Sequence, residues 1–105
     1  MTQAEIKDLN KELCAARGFT QIRPEYTSRP EIFWPAFEDW LSSGRPEHDF
    51  RLSSARHRGG FSFTILLSIP VPIGTGGFET IIETGSTILE AGCKAWLAAL
   101  KRLKR

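Results

Sequence analysis

Apolar residues return along this chain with two different periods, and the switches between them mark out six elements. Ile6, Leu9, Leu13 and Ala16 recur at three- and four-residue intervals, which places them on one stripe of a helix, while Lys7, Asp8, Lys11 and Glu12 fall on other faces. Thr2 and Glu5 stand at capping-box spacing at its start, and Gly18 suits the left-handed position that ends it. A second apolar face, Phe33, Ala36, Phe37, Trp40 and Leu41, follows Ser28 and Glu31 at the same capping spacing, with Pro30 in the first turn. It stops at Ser43-Gly44 before Pro46. Pro35 lies inside this run, and its ring clashes with a carbonyl four residues back, so a kink or a restart is expected there.

The period then falls to two. Phe50, Leu52 and Ser54 alternate with Arg51, Ser53 and Ala55. After a turn at Arg56 to Gly60, Phe61, Phe63, Ile65, Leu67 and Ile69 alternate with Ser62, Thr64, Leu66 and Ser68. Pro70 to Gly77, with its prolines and glycines, reads as a longer connection. A third strand from Phe78 to Glu83 places Phe78, Thr80 and Ile82 on one face and Glu79, Ile81 and Glu83 on the other. Thr87 and Glu90 open a last helix whose stripe is Leu89, Cys93, Trp96, Leu100 and Leu103. The expectation is a single α+β domain over residues 1–105, order α-α-β-β-β-α, in which a three-stranded antiparallel meander is covered by helices on both faces, because Leu66 lies opposite the aromatic row of the central strand.

Composition agrees with a packed domain: 105 residues, 41% apolar and 25% charged, without single-residue bias. The longest nearly uncharged stretch, Phe61 to Phe78, is broken by Pro70 and Pro72 and is not a membrane span. The opening residues carry acids and no apolar signal core, so a soluble, cytoplasmic protein without membrane contact is expected. Cys14 and Cys93 fall on the apolar sides of helices and read as small reduced core residues rather than a disulfide.

The inventory of reactive groups is thin. His48, His57, Cys14 and Cys93 match no metal-ligand spacing, no G-x-S-x-G elbow is present, and Gly74-Thr75-Gly76-Gly77 leads into a strand without the Lys-Ser/Thr of a phosphate loop. The chain is therefore expected to be no enzyme, with no cofactor and no metal. Glu79 and Glu83 read as solvated charges of an edge strand. The net charge is +2, but basic residues gather in two places: Arg51, Arg56, His57 and Arg58 around the first hairpin, and Lys101, Arg102, Lys104 and Arg105 at the end of the last helix. The second cluster also suits the negative pole of the helix dipole. Loops on a rigid scaffold commonly carry binding, so the hairpin tip and the 73–77 loop, with Ile73 and Thr75, are the candidate binding residues.

Three segments, Leu9 to Phe19, Tyr26-Thr27-Ser28, and Glu83 to Thr87 leading into Ala91-Gly92-Cys93-Lys94-Ala95-Trp96-Leu97, together resemble the phage ABA-sandwich domain family. Pro35 in the second helix and Gly92 in the last depart from that pattern. The resemblance implies this fold and a viral setting in a host cytoplasm, and it supplies no activity and no catalytic residues. It implies a small phage-type accessory protein that binds a host protein complex, with inhibition of a bacterial defence complex of the CRISPR-Cas kind as the specific case. Two alternatives remain: nucleic-acid binding through the basic clusters, or a virion structural or assembly role, with a homodimer conceivable through a sheet edge.

Overall fold

Six elements form in the expected order: α1 Gln3–Ala16, α2 Pro30–Ser43, β1 Asp49–His57, β2 Gly60–Pro70, β3 Phe78–Gly85 and α3 Ile88–Leu103. They are seen in a computed structural model that describes residues 2–19, 24–43, 49–70 and 78–103. The sheet is an antiparallel meander, β1-β2-β3, with β2 central.

Local chemistry sets the helix ends. Thr2 Oγ1 accepts from the Glu5 amide and Glu5 Oε1 accepts from the Thr2 amide, both at 3.2 Å, so the capping box forms as the spacing predicts. Gly18 takes φ +89° after the last turn of α1. At α2 the Ser28–Glu31 spacing does not make the cap. Arg29 precedes the helix instead, and its carbonyl accepts from the amides of Ile32 and Phe33 at 3.0 Å. α2 runs from Pro30 to Ser43 as one helix with Pro35 inside it, so no restart occurs.

The order and the meander match the sequence pattern; the covering of both faces does not. Ile65, Leu67 and Ile69 of β2 are fully buried, whereas Ser62, Thr64, Leu66 and Ser68 between them are only partly so. All three helices lie on the first of these faces. Phe33 of α2, Gly92 of α3 and Ile65 meet at one point, Phe37 of α2 packs edge-on to Phe50 of β1 at 5.5 Å, and Leu9 of α1 lies by Glu83 of β3 and Leu97 of α3. The opposite face carries Arg51, Ser53, Ala55, Thr80, Ile82 and Thr84, all exposed, with Ile82 at 61%. Leu66 and Ile82 pair across β2 and β3 amid serines and threonines, too little apolar area to hold a second helical layer.

β3 turns accordingly. Its helix-facing residues are Glu79, Ile81 and Glu83, with Ile81 buried at 5%, and Thr80 and Ile82 face outward. The two glutamates are therefore not free-standing charges of an open surface: both are half-buried, and Glu79 forms an ion pair with Arg102.

The core is aromatic. Trp96 is fully buried and packs against Tyr26, Phe33, Phe37 and Trp40, with ring centroids 5.4 to 6.0 Å apart. Arg17 closes it from α1. Its guanidinium donates to the Tyr26 hydroxyl and lies 4.6 Å from the Trp96 ring centroid, a charge–ring contact of the stabilising kind. Burial pushes the Tyr26 phenol up, against the opposing pull of Arg17.

Candidate functional site

Cysteine, carboxylate and groove chemistry can be weighed first. Cys14 and Cys93 are both free and buried; Cys14 Sγ donates to the Pro24 carbonyl at 3.3 Å, and burial, with Cys14 adding to it, pushes the Cys93 thiol up to about 12. A thiol held protonated in this way is a poor nucleophile at neutral pH. A groove of about 500 Å³ is lined by Gln3, Ile6, Lys7, Asn10, Lys11 and Glu25 among others. Of its polar groups Asn10 is engaged: its Oδ1 accepts from the amides of Tyr26 at 2.9 Å and Thr27 at 3.4 Å, pinning the loop before α2. Among the described residues no three His, Cys, Asp or Glu side chains gather as a metal site would require.

The hairpin of β1 and β2 is different. Its strands alternate as predicted, and the register runs from Asp49↔Ser68 to His57↔Gly60, leaving Arg58-Gly59 as the connection. Gly60 has φ +120°, a backbone conformation that residues with a Cβ rarely adopt. β3 pairs with β2 only as far as Phe63↔Gly85, so the hairpin overhangs the sheet beyond that point. The overhang explains an exposure that the strand pattern alone conceals. Phe61 belongs to the same row as Ile65 and Leu67, yet it is 58% exposed, and Leu52 beside the row is 42% exposed. Arg56 and Phe61 are register partners, and the guanidinium carbon stands 5.9 Å from the ring centroid.

The hairpin also carries arginines without an ion pair among the described residues. Arg17 bonds Tyr26, Arg29 pairs with Glu25 at 2.9 Å and Arg102 pairs with Glu79. The other described arginines, Arg51, Arg56 and Arg58, have no ion pair or hydrogen bond with any described residue. No acidic residue occurs in the sequence between Asp49 and Glu79. Arg51 and Arg56 are five residues apart, an odd number, so they stand on opposite faces of the sheet: Arg51 opposite Leu66 on the open face, Arg56 opposite Phe61 on the helix side.

The remaining candidates fare unequally. Lys101 lies 3.4 Å from Glu12, and Arg102 is committed to Glu79, so the described part of the C-terminal cluster works as cross-links from α3 to α1 and β3 rather than as a free basic patch. Lys104, Arg105, Ile73 and Thr75 lie outside the described residues, as does the His57 side chain. Sequence reasoning missed Leu52 and Phe61 as exposed groups. The signal available was strand length, since Phe61 precedes the first β2 residue that β3 can reach.

No helix among the described residues is long and apolar enough to cross a membrane. In comparisons with known proteins, no family model, no curated protein and no solved structure matches the chain.

Proposed function

We propose that this chain is a non-enzymatic binding protein that docks on a partner protein through the β1–β2 hairpin. Following the family likeness set out above, it is read as a small phage-type accessory protein acting in the host cytoplasm, with a host protein complex, specifically a bacterial defence complex, as its partner. The observation that carries the binding reading is the overhanging hairpin tip, where exposed Phe61 stands beside Arg56, which has no ion pair with any described residue, with exposed Leu52 further along β1. Aromatic and arginine side chains at a protruding, rigid position are the residue types that dominate protein–protein binding energy. Covering the exposed part of Phe61 would alone contribute about 1–2 kcal/mol.

The test is direct. Benzoylphenylalanine placed at Phe61 and irradiated in a lysate of an infected host should form one dominant cross-linked band. The same group at Gln3, on α1 away from the hairpin, should not. A pattern shared by both positions refutes the hairpin as the docking element.

One observation favours a second reading. Three unpaired arginines on one hairpin would also suit phosphate contacts, and affinity for single-stranded oligonucleotides would then fall steeply with salt. The engagement of Lys101 and Arg102 with Glu12 and Glu79 leaves that reading without its second described patch.

A further inference from the structure

The mode of docking can be taken further, on the footing of the hairpin reading above. β1 is an edge strand, paired with β2 along one side, and every residue from Arg51 to Arg56 is exposed. In an antiparallel pair, amide and carbonyl groups point alternately toward the partner strand and away from it, so about half of β1's backbone groups face outward. No backbone hydrogen bond from the described residues reaches them. Such an edge is a template for a further strand, and natural proteins usually blunt it. The other edge of this sheet is partly covered: Glu79 of β3 pairs with Arg102 of α3, and Lys94 of α3 donates to the Thr84 carbonyl at 3.0 Å. Between Arg51 and Arg56, β1 presents only Leu52, Ser53, Ser54 and Ala55 along this edge.

The placement of those arginines discriminates between occupants. Arg51 and Arg56 stand on opposite faces and are separated along the strand by roughly 17 Å, at about 3.3 Å per residue. A nucleic-acid backbone lying on one face of the sheet would meet one of them and miss the other. A second copy of the same edge would bring together two strands that each carry Arg51 and Arg56 against a single acid, Asp49 at the start of β1. A β-strand added to the edge is the ligand that presents side chains to both faces at once, by its own two-residue alternation.

We infer that the free edge of β1 accepts an extended, acidic peptide segment of a partner protein as a fourth strand. Two acidic side chains of that segment, separated by an odd number of positions, meet Arg51 on the open face and Arg56 on the helix side, and an apolar side chain of the segment covers Leu52. Backbone hydrogen bonds supply the pairing and the two arginines supply selectivity for acid at fixed spacing.

A displayed library of random dodecapeptides, selected against the full chain, tests this. Selected peptides should be enriched in Asp and Glu at odd separations. Their affinity, read by fluorescence anisotropy, should fall at least tenfold for Arg51→Glu and separately for Arg56→Glu, with Arg51→Gln and Arg56→Gln giving smaller losses and unchanged thermal melting. N-methylation of one alternate set of peptide amides should abolish binding, methylation of the other set should be tolerated, and outward amides of β1 should gain protection from hydrogen exchange. Peptides that bind Phe61 but tolerate methylation of both sets would overturn strand addition and leave the hairpin as a docking element. A failure to select any arginine-dependent peptide, or protection of β1 by oligothymidine and by no peptide, would overturn the inference outright; cross-linking at Phe61 would separately decide the hairpin reading.

Discussion

Gly92 lies where the three layers of contact converge, and replacing it with alanine should destabilise the protein although alanine is the better helix former. A Cβ built there would stand 2.6 Å from Phe33 Cζ, 3.1 Å from Phe33 Cε1 and 3.4 Å from Ile65 Cδ1. Ordinary carbon contacts need about 3.5–4.0 Å, so the ring would have to retreat by about 1 Å. It has nowhere to go. Phe33 is fully buried and stacks on Phe37 at 5.1 Å, with Trp34 at 5.0 Å and Trp96 at 5.9 Å. Helix propensity favours alanine by about 1 kcal/mol, whereas overpacking a tight core costs about 1–3 kcal/mol. With a contact this short and a neighbour this confined the upper end applies, and the net loss is about 2 kcal/mol. For a domain of this size that lowers Tm by roughly 10 °C.

Thermal and urea unfolding of Gly92→Ala, Phe33→Leu and the double variant should show strong coupling. Phe33→Leu removes the ring atom in conflict, so adding Gly92→Ala to it should be neutral or stabilising, a coupling energy of about 2 kcal/mol. If Gly92→Ala melts at or above the parent temperature, or loses the same stability in both backgrounds, the close approach of α2 to α3 at this point is wrong. Glycine at this position is thus a packing requirement of the aromatic cluster beneath it.

The remaining expectations concern the ends of elements and the charges that join them. Gly60→Ala should cost roughly 1–2 kcal/mol in urea unfolding through its φ of +120° alone, since nothing lies within 4 Å of the added Cβ; Ser53→Ala on the same hairpin is the control, and equal effects would refute the strain argument. Burial raises the Glu90 carboxyl, but hydrogen bonds from the Ser86 hydroxyl and amide, at 2.7 and 3.0 Å, and the charge of Lys94 outweigh it, holding the pKa below the usual 4.5. The folded pKa is thus lower than the unfolded one, so Glu90 stabilises above about pH 4.5 and that contribution is lost as pH falls through the folded value. Tm against pH should therefore drop less steeply below pH 4.5 in Glu90→Gln than in the parent, and parallel curves would refute it. Cys93, pushed up to about 12 from 9.0, should resist thiol reagents in the native state and stabilise less as pH rises from about 9 toward 12; rapid labelling of folded protein would refute its burial. Arg102→Ala should change stability by about 1 kcal/mol or less, as a part-exposed pair, and should leave hairpin cross-linking unaltered.

Which of these features the sequence discloses follows from how local their causes are. Element order is local: the two-residue period of Phe61 to Ile69, the stripe of Leu89 to Leu100 and the capping spacing of Thr2 with Glu5 each specify their element within a few residues. The facing of β3 is not. By hydrophobicity Phe78, Thr80 and Ile82 make the better buried row, yet Ile81 faces the helices and Ile82 is exposed. α3 bears on this through Arg102, which pairs with Glu79, so one acid on the inner face is matched by a cation delivered from another element. The ion pair of Lys101 is non-local in the same way, since its partner Glu12 lies 89 residues away. At the hairpin the odd separation of Arg51 and Arg56 already places them on opposite faces, but only the register with β2 shows that Phe61 overhangs.

The two edges of the sheet are therefore unequal in a way that bears on function. β3 is covered in part by α3, whose Arg102 pairs with Glu79 and whose Lys94 donates to the Thr84 carbonyl at 3.0 Å, occupying a backbone acceptor of that strand. From Arg51 to Arg56 β1 has none of this cover from the described residues, and the charges of that stretch are both positive and without an ion pair among them. An uncovered edge is an aggregation liability that arginines mitigate by repelling copies of themselves. The same arginines attract acid, so the feature that keeps two identical edges apart also selects the strand that can fit. In a sheet this small, with one face sealed by three helices and one edge neutralised, β1 and the hairpin that carries it are where an incoming partner meets both unused backbone groups and unused charge.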